Sequence, residues 1–448
     1  MNKDYIDPRL SAGFNDYLPE ESIPRQEMFD TIRGVFELYG FVPLETPGME
    51  RIEVLTGGDP NFEKEIFYTK LREGSDGLAM RFDLTVPLAR VVARYPDIDK
   101  PFKRYQVGPV WRGERPQKGR YREFVQFDAD IVGTDEMVAD AEIIAVMYAA
   151  MKALGVKNFL IRVNNRKILN GLPEYIGFDP ELATEAMRII DKLDKIEWEG
   201  VSAALREELG FDDQQLGKLK AFIDLEADTN AGTVKAVREL MADSEVAVEG
   251  ADELGEIVEL VAALGVPDKF WKIDLSIARG MGYYTGPVFE MVLTDLPGIG
   301  SVCSGGRYDD LMERFSPVSV PAVGASIGVD RLVAGLVELG LLEKKKIAAD
   351  VLVLNFDDAA KFAYQELATR LREGGVATEV YYGSEKLLKG QVAYAAKSEY
   401  PVVAIIGEDE LKRGVVQLKD MKRRKQIEVS LDDVLGAVES ILNEAEAS

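Results

Sequence analysis

The chain has 448 residues, enough for two or three domains, and its 46% hydrophobic and 29% charged content is that of a soluble globular protein. Its net charge of −24, from 78 acidic and 54 basic residues, argues against a nucleic-acid partner bound by bulk charge, so any phosphate contact must come from local basic clusters. It contains no histidine and one cysteine, Cys303, which excludes His-based triads, His-ligated zinc and internal disulfides.

In chain order, no apolar run is long enough to span a bilayer, and the N-terminus lacks a signal-peptide pattern; a cytoplasmic protein without membrane contact is expected. Residues 22–39 predict a helix, with Ser22 as cap, Pro24 early and an apolar stripe through Met28, Phe29, Ile32, Val35, Phe36 and Tyr39. Residues 40–170 alternate short β-rich runs with turns: 41–44, 66–69, 78–81, 103–110 and 123–132. A helix over 138–154 ends at Gly155, and 159–163 is a strand. Residues 172–266 are helical by pattern and more acidic, which suits an inserted helical domain. Strand signals return at 273–277 and 288–293, and 321–336 reads as a strand running into a helix.

Lys344-Lys345-Lys346 reads as a linker. Beyond it strands at 351–355, 377–382 and 402–406 alternate with helices at 359–372 and 387–398. A hairpin at 415–419 and 426–429 and a helix at 431–442 follow. This alternation predicts a small α/β domain with a largely parallel core. Two basic clusters stand out, residues 112–122 and Lys422-Arg423-Arg424-Lys425; either reads equally as a solvated charged face.

Four strings carry chemistry. The first runs Arg112-Gly-Glu114-Arg115-Pro116-Gln117-Lys118-Gly-Arg120-Tyr-Arg122-Glu-Phe124-Val-Gln126, a guanidinium-dense loop between strands that suits phosphate oxygens. The second is Arg279-Gly-Met-Gly-Tyr283-Tyr284-Thr285-Gly286, whose glycines allow close backbone approach to a ligand. The third is Ser304-Gly-Gly-Arg307-Tyr308-Asp309 followed by a small-residue stretch into Asp330-Arg331. The fourth is Arg81-Phe-Asp83-Leu-Thr85-Val-Pro87. Asp128 and Asp130 alternate onto one side of their strand, so at least one is solvated or functional. Cys303, just before the strand of the third string, reads as a packed, inert thiol.

Arg-x-Glu-Arg-Pro with the following Phe124 resembles motif 2 of class II aminoacyl-tRNA synthetases. Together with Arg-Gly-x-x-Tyr-Tyr-Thr-Gly it resembles the histidyl-tRNA synthetase family in particular. The resemblance spans nearly the whole chain and implies an α+β fold. That fold is an antiparallel-sheet catalytic core (1–171 and 267–343), a helical insertion (172–266) and a C-terminal α/β anticodon-binding domain (347–448). It implies ATP-dependent ligation of L-histidine to tRNA(His) through a histidyl-adenylate, with Mg2+ as cofactor, the metal ligands being unknown.

By the same resemblance Arg112 and Arg279 are catalytic, both at the α-phosphate, with Arg112 also on the amino-acid carboxylate. Arg112, Glu114, Arg120, Phe124 and Arg331 bind ATP. Asp83, Thr85, Gln126, Asp130, Tyr283, Tyr284 and Tyr308 bind histidine, and Gln117 and Arg122 face the tRNA acceptor end. Leu10–Pro19 resembles the lead into motif 1, which implies a homodimer. Where many relatives carry an acid this chain has Gly282, which puts that acid's role in doubt here.

Three alternatives remain beside this reading: a histidine-binding regulatory paralogue of ATP phosphoribosyltransferase, a class II synthetase for another amino acid, and a binding module on a synthetase-like core. The missing histidines fit an enzyme that is translatable when its amino acid is scarce, and equally fit redesign or chance.

Overall fold

The computed structural model describes residues 6–57, 66–69, 77–115, 120–278 and 283–446. The chain divides into two units, 1–15 with 28–342 and 16–27 with 343–448.

The strands of the first unit are β1 (Val42–Pro43), β2 (Met49–Arg51), β3 (Tyr68–Thr69), β4 (Leu78–Met80), β5 (Phe102–Trp111), β6 (Glu123–Val132), β7 (Phe159–Asn165), β8 (Trp271–Ile273), β9 (Pro287–Leu293), β10 (Ser301–Arg307) and β11 (Ala322–Gly328). Eight of them form one sheet in the order β1-β5-β6-β11-β10-β9-β7-β8, and β2-β4-β3 form a small antiparallel sheet. The large sheet is antiparallel except where β1 joins β5 and β7 joins β8. Its spine is the ten-residue pairing of β5 with β6.

Alternation gives the large sheet two different faces. One carries Tyr105, Phe127, Ala129, Ile131, Cys303, Ala325, Ile327, Phe289 and Met291, buried with the helix Met137–Ala153 and with Met28, Ile32 and Phe36. The other face is polar. One row runs Gln106–Asp128–Ser326–Ser304–Glu290–Arg162–Lys272 across seven strands. Beside it lie Arg104–Asp130–Gly324–Gly306–Val288 and Gly108–Gln126–Gly328.

Residues 172–266 are helical, from Leu172–Ile176 to Glu245–Ala263. In the second unit β12 (Val351–Val353), β13 (Thr378–Val380), β14 (Val402–Ile405), β15 (Val415–Asp420) and β16 (Lys425–Ser430) are ordered β13-β12-β14-β15-β16. Only the β13-β12-β14 core is parallel. The basic cluster at 422–425 turns the β15–β16 hairpin, where Arg423 pairs with Glu444 at 2.8 Å.

Four local expectations need correcting. The first helix begins at Pro19, not Ser22, and Ser22 donates from inside it to the Tyr17 carbonyl at 2.7 Å. Residues 85–94, expected as loop and β, form the helix Thr85–Arg94. Pro87 falls in its first turn, where no amide partner is needed, and Asp83 accepts the Val86 amide at 3.0 Å. The strand expected at 273–277 stops at Ile273, because Asp274 turns the chain by accepting from the Ser276 amide. Cys303, expected just before a strand, sits within β10. In the second unit Glu408–Arg413 adds a short helix after β14.

Candidate active site

The polar face of the large sheet brings most of the sequence-derived residues of the first unit together. β5 and β6 place Arg104 opposite Asp130, and the two side chains form an ion pair at 2.8 Å with 0% and 3% side-chain exposure. Tyr308, buried, donates its hydroxyl to the other Asp130 oxygen. Arg104 also donates to the Leu84 carbonyl at 3.2 Å, which ties the strand pair to the loop holding Asp83. Two carboxylates in one dry region repel, and burial pushes the Asp128 and Asp130 carboxyls up while Arg104 holds them down.

Asp83 is also buried, and burial raises its carboxyl to about 6 against the opposing pull of the Val86 amide, Arg112, Arg104 and Arg314. Gln126 donates to Ser326 at 2.6 Å. Several polar atoms of this face are sealed and unfilled: Asp83 Oδ2, Gln126 Oε1, Asp128 Oδ1, and Nε and Nη1 of Arg104. Buried acceptors without donors are costly, and a set of them on one face suits a ligand that brings its own N–H groups.

The tyrosines close this region. Tyr283 and Tyr308 meet edge to face with ring centres 6.0 Å apart, and Tyr283 meets Tyr284 the same way at 5.2 Å. Burial raises the hydroxyls of all three tyrosines, which stay neutral, with Thr85 acting against it at Tyr283. Space here is set by glycine. A Cβ on Gly324 would lie 2.6 Å from Asp130 Cγ, and one on Gly306 would lie 2.7 Å from the Pro287 carbonyl and 3.0 Å from the Tyr284 ring. The Thr285 amide donates to the Arg307 carbonyl at 2.9 Å, and the buried Arg307 pairs with Asp140. This network anchors the tyrosine-bearing turn to the helix Met137–Ala153.

The basic string lies at the far end of β5 and β6. Arg112 donates from Nε to the Phe82 carbonyl at 3.1 Å, and its guanidinium sits 5.0 Å over the Phe124 ring. Arg120 pairs with Glu114 at 2.6 Å, and Arg122 donates to the carbonyls of Glu114 and Ala12. The helix Val329–Glu338 starts beside this strand end, where Asp330 accepts the Val125 amide at 2.8 Å and Arg331 donates to the Ser301 carbonyl at 2.5 Å. The result is a cation-rich end next to an acceptor-rich region on one sheet face. Arg279 and Gln117 lie outside the described residues.

The motif strings did not single out Arg104, Asp128, Ser326 or Arg307 as site residues. The usable signal was strand periodicity: Arg104, Gln106 and Gly108 share a side of β5, as Gln126, Asp128 and Asp130 do on β6. Neither aspartate is solvated, since each is 2% exposed.

A family model for histidyl-tRNA synthetase matches residues 13–332, and one for an anticodon binding domain matches 350–441. The chain is 45% identical over 439 residues to a histidine–tRNA ligase of Wolinella succinogenes, covering 96% of this chain and 99% of that one. It is 42% identical to that of Clostridium tetani, covering 98% and 100%. The crystal structure of histidyl-tRNA synthetase from Nostoc sp. PCC 7120 superposes with a TM-score of 0.88 at 34% identity, covering 97% of this chain and all of that one. The polar sheet face with its flanking arginines therefore sits within a chain that belongs to the histidyl-tRNA synthetase family.

Proposed function

We infer that the chain joins L-histidine to tRNA(His) at the expense of ATP. The observation that carries this reading is the juxtaposition of unfilled buried acceptors, Asp83, Gln126 and Asp128, with an arginine-lined strand end at Arg112 and Phe124. The first suits an amino acid's ammonium, and the second suits a nucleotide's phosphates and base.

In the proposed first step an oxygen of the histidine carboxylate attacks the α-phosphorus of ATP in line, and the bond to pyrophosphate breaks. In the second a terminal ribose hydroxyl of the tRNA attacks the carbonyl carbon, and AMP leaves. Such chemistry depends on positioning and charge neutralisation more than on a protein base, so a chain without histidine is competent for it.

Arg112 and Arg279 would hold the α-phosphate, Arg120 and Arg331 the γ-phosphate, and Glu114 and Phe124 the adenine. Arg120 and Glu114 would exchange their mutual ion pair for the nucleotide. Asp83, Thr85 and Gln126 would bind the ammonium, while Asp130, Tyr283, Tyr284 and Tyr308 would surround the imidazole. Gln117 and Arg122 would meet the tRNA acceptor end.

Residues 1–171 with 267–343 would form the catalytic core, 172–266 its insertion and 347–448 the anticodon-binding domain. Among the described residues no three acidic or thiol side chains gather to hold a metal, so Mg2+ enters this reading as the ion that accompanies the nucleotide's phosphates. A cytoplasmic homodimer completes the proposal. Among the described residues no helix is long and apolar enough to cross a membrane.

The regulatory-paralogue reading is weaker, because it leaves an anticodon-binding domain and a full set of motif arginines without a use. ATP–pyrophosphate exchange, scanned one amino acid at a time with an Arg279→Ala control, tests the choice. Exchange with histidine alone, lost in the control, is expected. Histidine binding without exchange for any amino acid would favour the paralogue.

A further inference from the structure

Asp128 sits in β6 between Gln126 and Asp130 on the polar face. It is 2% exposed, and its Oδ1 has no hydrogen-bond partner. Ser326 lies directly across the ladder from it, and the Ser326 hydroxyl works against the burial that raises the Asp128 carboxyl. Ser326 Oγ also accepts from Gln126 Nε2 at 2.6 Å. A hydroxyl that accepts from an amide keeps its own proton to give, and the carboxylate can only accept. Gln126 gives its N–H to Ser326, and the Ser326 proton is left to give toward Asp128, its neighbour across the ladder.

Two consequences follow. The Gln126 amide is held with its nitrogen toward Ser326, which leaves Oε1 as the buried, unfilled acceptor. Asp128 supplies a second such acceptor in Oδ1, and Asp83 Oδ2 is a third. The Asp83 and Asp128 carboxylates feel each other's charge. A primary ammonium brings three N–H donors and one positive charge, which matches three acceptors, two of them on carboxylates.

We propose that Asp128 binds the α-ammonium of the amino-acid substrate, taking one N–H on Oδ1 and, through Ser326, orienting Gln126 to take another. The proposal rests on the histidine reading above and extends it by a residue that no motif string assigns. The rival role is structural, with Asp128 serving only as a second counter-charge to the buried Arg104.

Two probes separate these roles in calorimetric titrations of the full chain. Histidinol keeps the ammonium and imidazole but lacks the carboxylate; imidazolylpropionate lacks the ammonium. Asp128→Asn should weaken histidinol binding roughly tenfold or more, the worth of a charge-assisted hydrogen bond, while leaving imidazolylpropionate binding unchanged. Equal weakening for both probes, or histidinol affinity within about twofold of the parent, would overturn the proposal. Should Asp128→Asn fail to fold, Ser326→Ala decides: a severalfold loss confined to histidinol supports the relay, and no loss overturns it. A parent chain that binds neither histidine nor histidinol would overturn the histidine reading and this proposal with it. Parent binding together with an unaffected Asp128→Asn variant would remove the proposal alone.

Discussion

Arg104 and Asp130 face each other across β5 and β6 with Nη2 and Oδ2 2.8 Å apart, and neither side chain reaches solvent. A buried pair of this kind contributes little net stability over apolar residues of similar volume, but losing one partner strands a charge. Arg104→Leu and Asp130→Asn should each destabilise the chain by about 3–5 kcal/mol in urea unfolding. The double variant should recover part of that loss. Additive losses in the double-mutant cycle would mean the two groups are not coupled.

Gly324 lies on the same row, and a methyl there would meet the Asp130 carboxyl and the Ala129 carbonyl. Gly324→Ala should therefore cost about 1–3 kcal/mol by overpacking and raise the KM for histidine more than the KM for ATP. Gly255 sits in the helix Glu245–Ala263, with Val234 Cγ1 3.8 Å from the Cβ position. Gly255→Ala should have the opposite sign, stabilising by roughly 0.5–1 kcal/mol. Thermal melts of the two variants side by side check both signs.

Asp83 links stability to pH. Burial raises its carboxyl from 3.8 to about 6, so the folded chain holds this proton more tightly than the unfolded chain does. Its contribution to stability is present below pH 3.8 and falls as pH rises through the interval to about 6. Above that interval the ionised group opposes folding by roughly 3 kcal/mol, about two pH units at 1.36 kcal/mol each. Asp83→Asn, which can still accept the Val86 amide, should melt above the parent at pH 7.5. That advantage should shrink toward pH 4, and histidine binding should weaken. A melting difference that does not vary with pH would remove the titration argument.

Arg112 spends Nε on the Phe82 carbonyl and leans over Phe124, which fixes the plane of its fork. Lysine keeps the charge but not the plane. Arg112→Lys should lower histidine-dependent pyrophosphate exchange by about 10²–10³-fold, with histidinol binding unchanged. Exchange within a factor of a few of the parent would show that charge alone suffices.

β6 could be read from the sequence because ten alternating residues leave little choice of period, and its ends match expectation at Glu123 and Val132. The helix Thr85–Arg94 was hidden by Pro87, which reads as a breaker but sits where a first turn tolerates it. The Ile273–Ile277 run has strand periodicity, yet Asp274 engages Arg162 at 2.7 Å and the Ser276 amide at 3.1 Å, so side-chain bonds ended the ladder. In the site, motif order singled out Arg112, Arg120, Arg331 and the tyrosines. It could not reveal Arg104 or Asp128, because alternation says which side a residue faces but not whether that side is covered. The cover comes from Leu84 and Tyr308, which are distant in sequence.

Cys303 lies inside β10 on the apolar face, 3% exposed, and burial pushes its thiol up and out of the reactive range. It is the chain's one cysteine. Folded protein is thus silent toward maleimides and similar reagents in native buffer. A cysteine introduced at any chosen surface position becomes the single labelling point for a fluorophore or spin label, with no background to remove first. The native thiol then serves as a built-in integrity marker, reacting only where the core has opened.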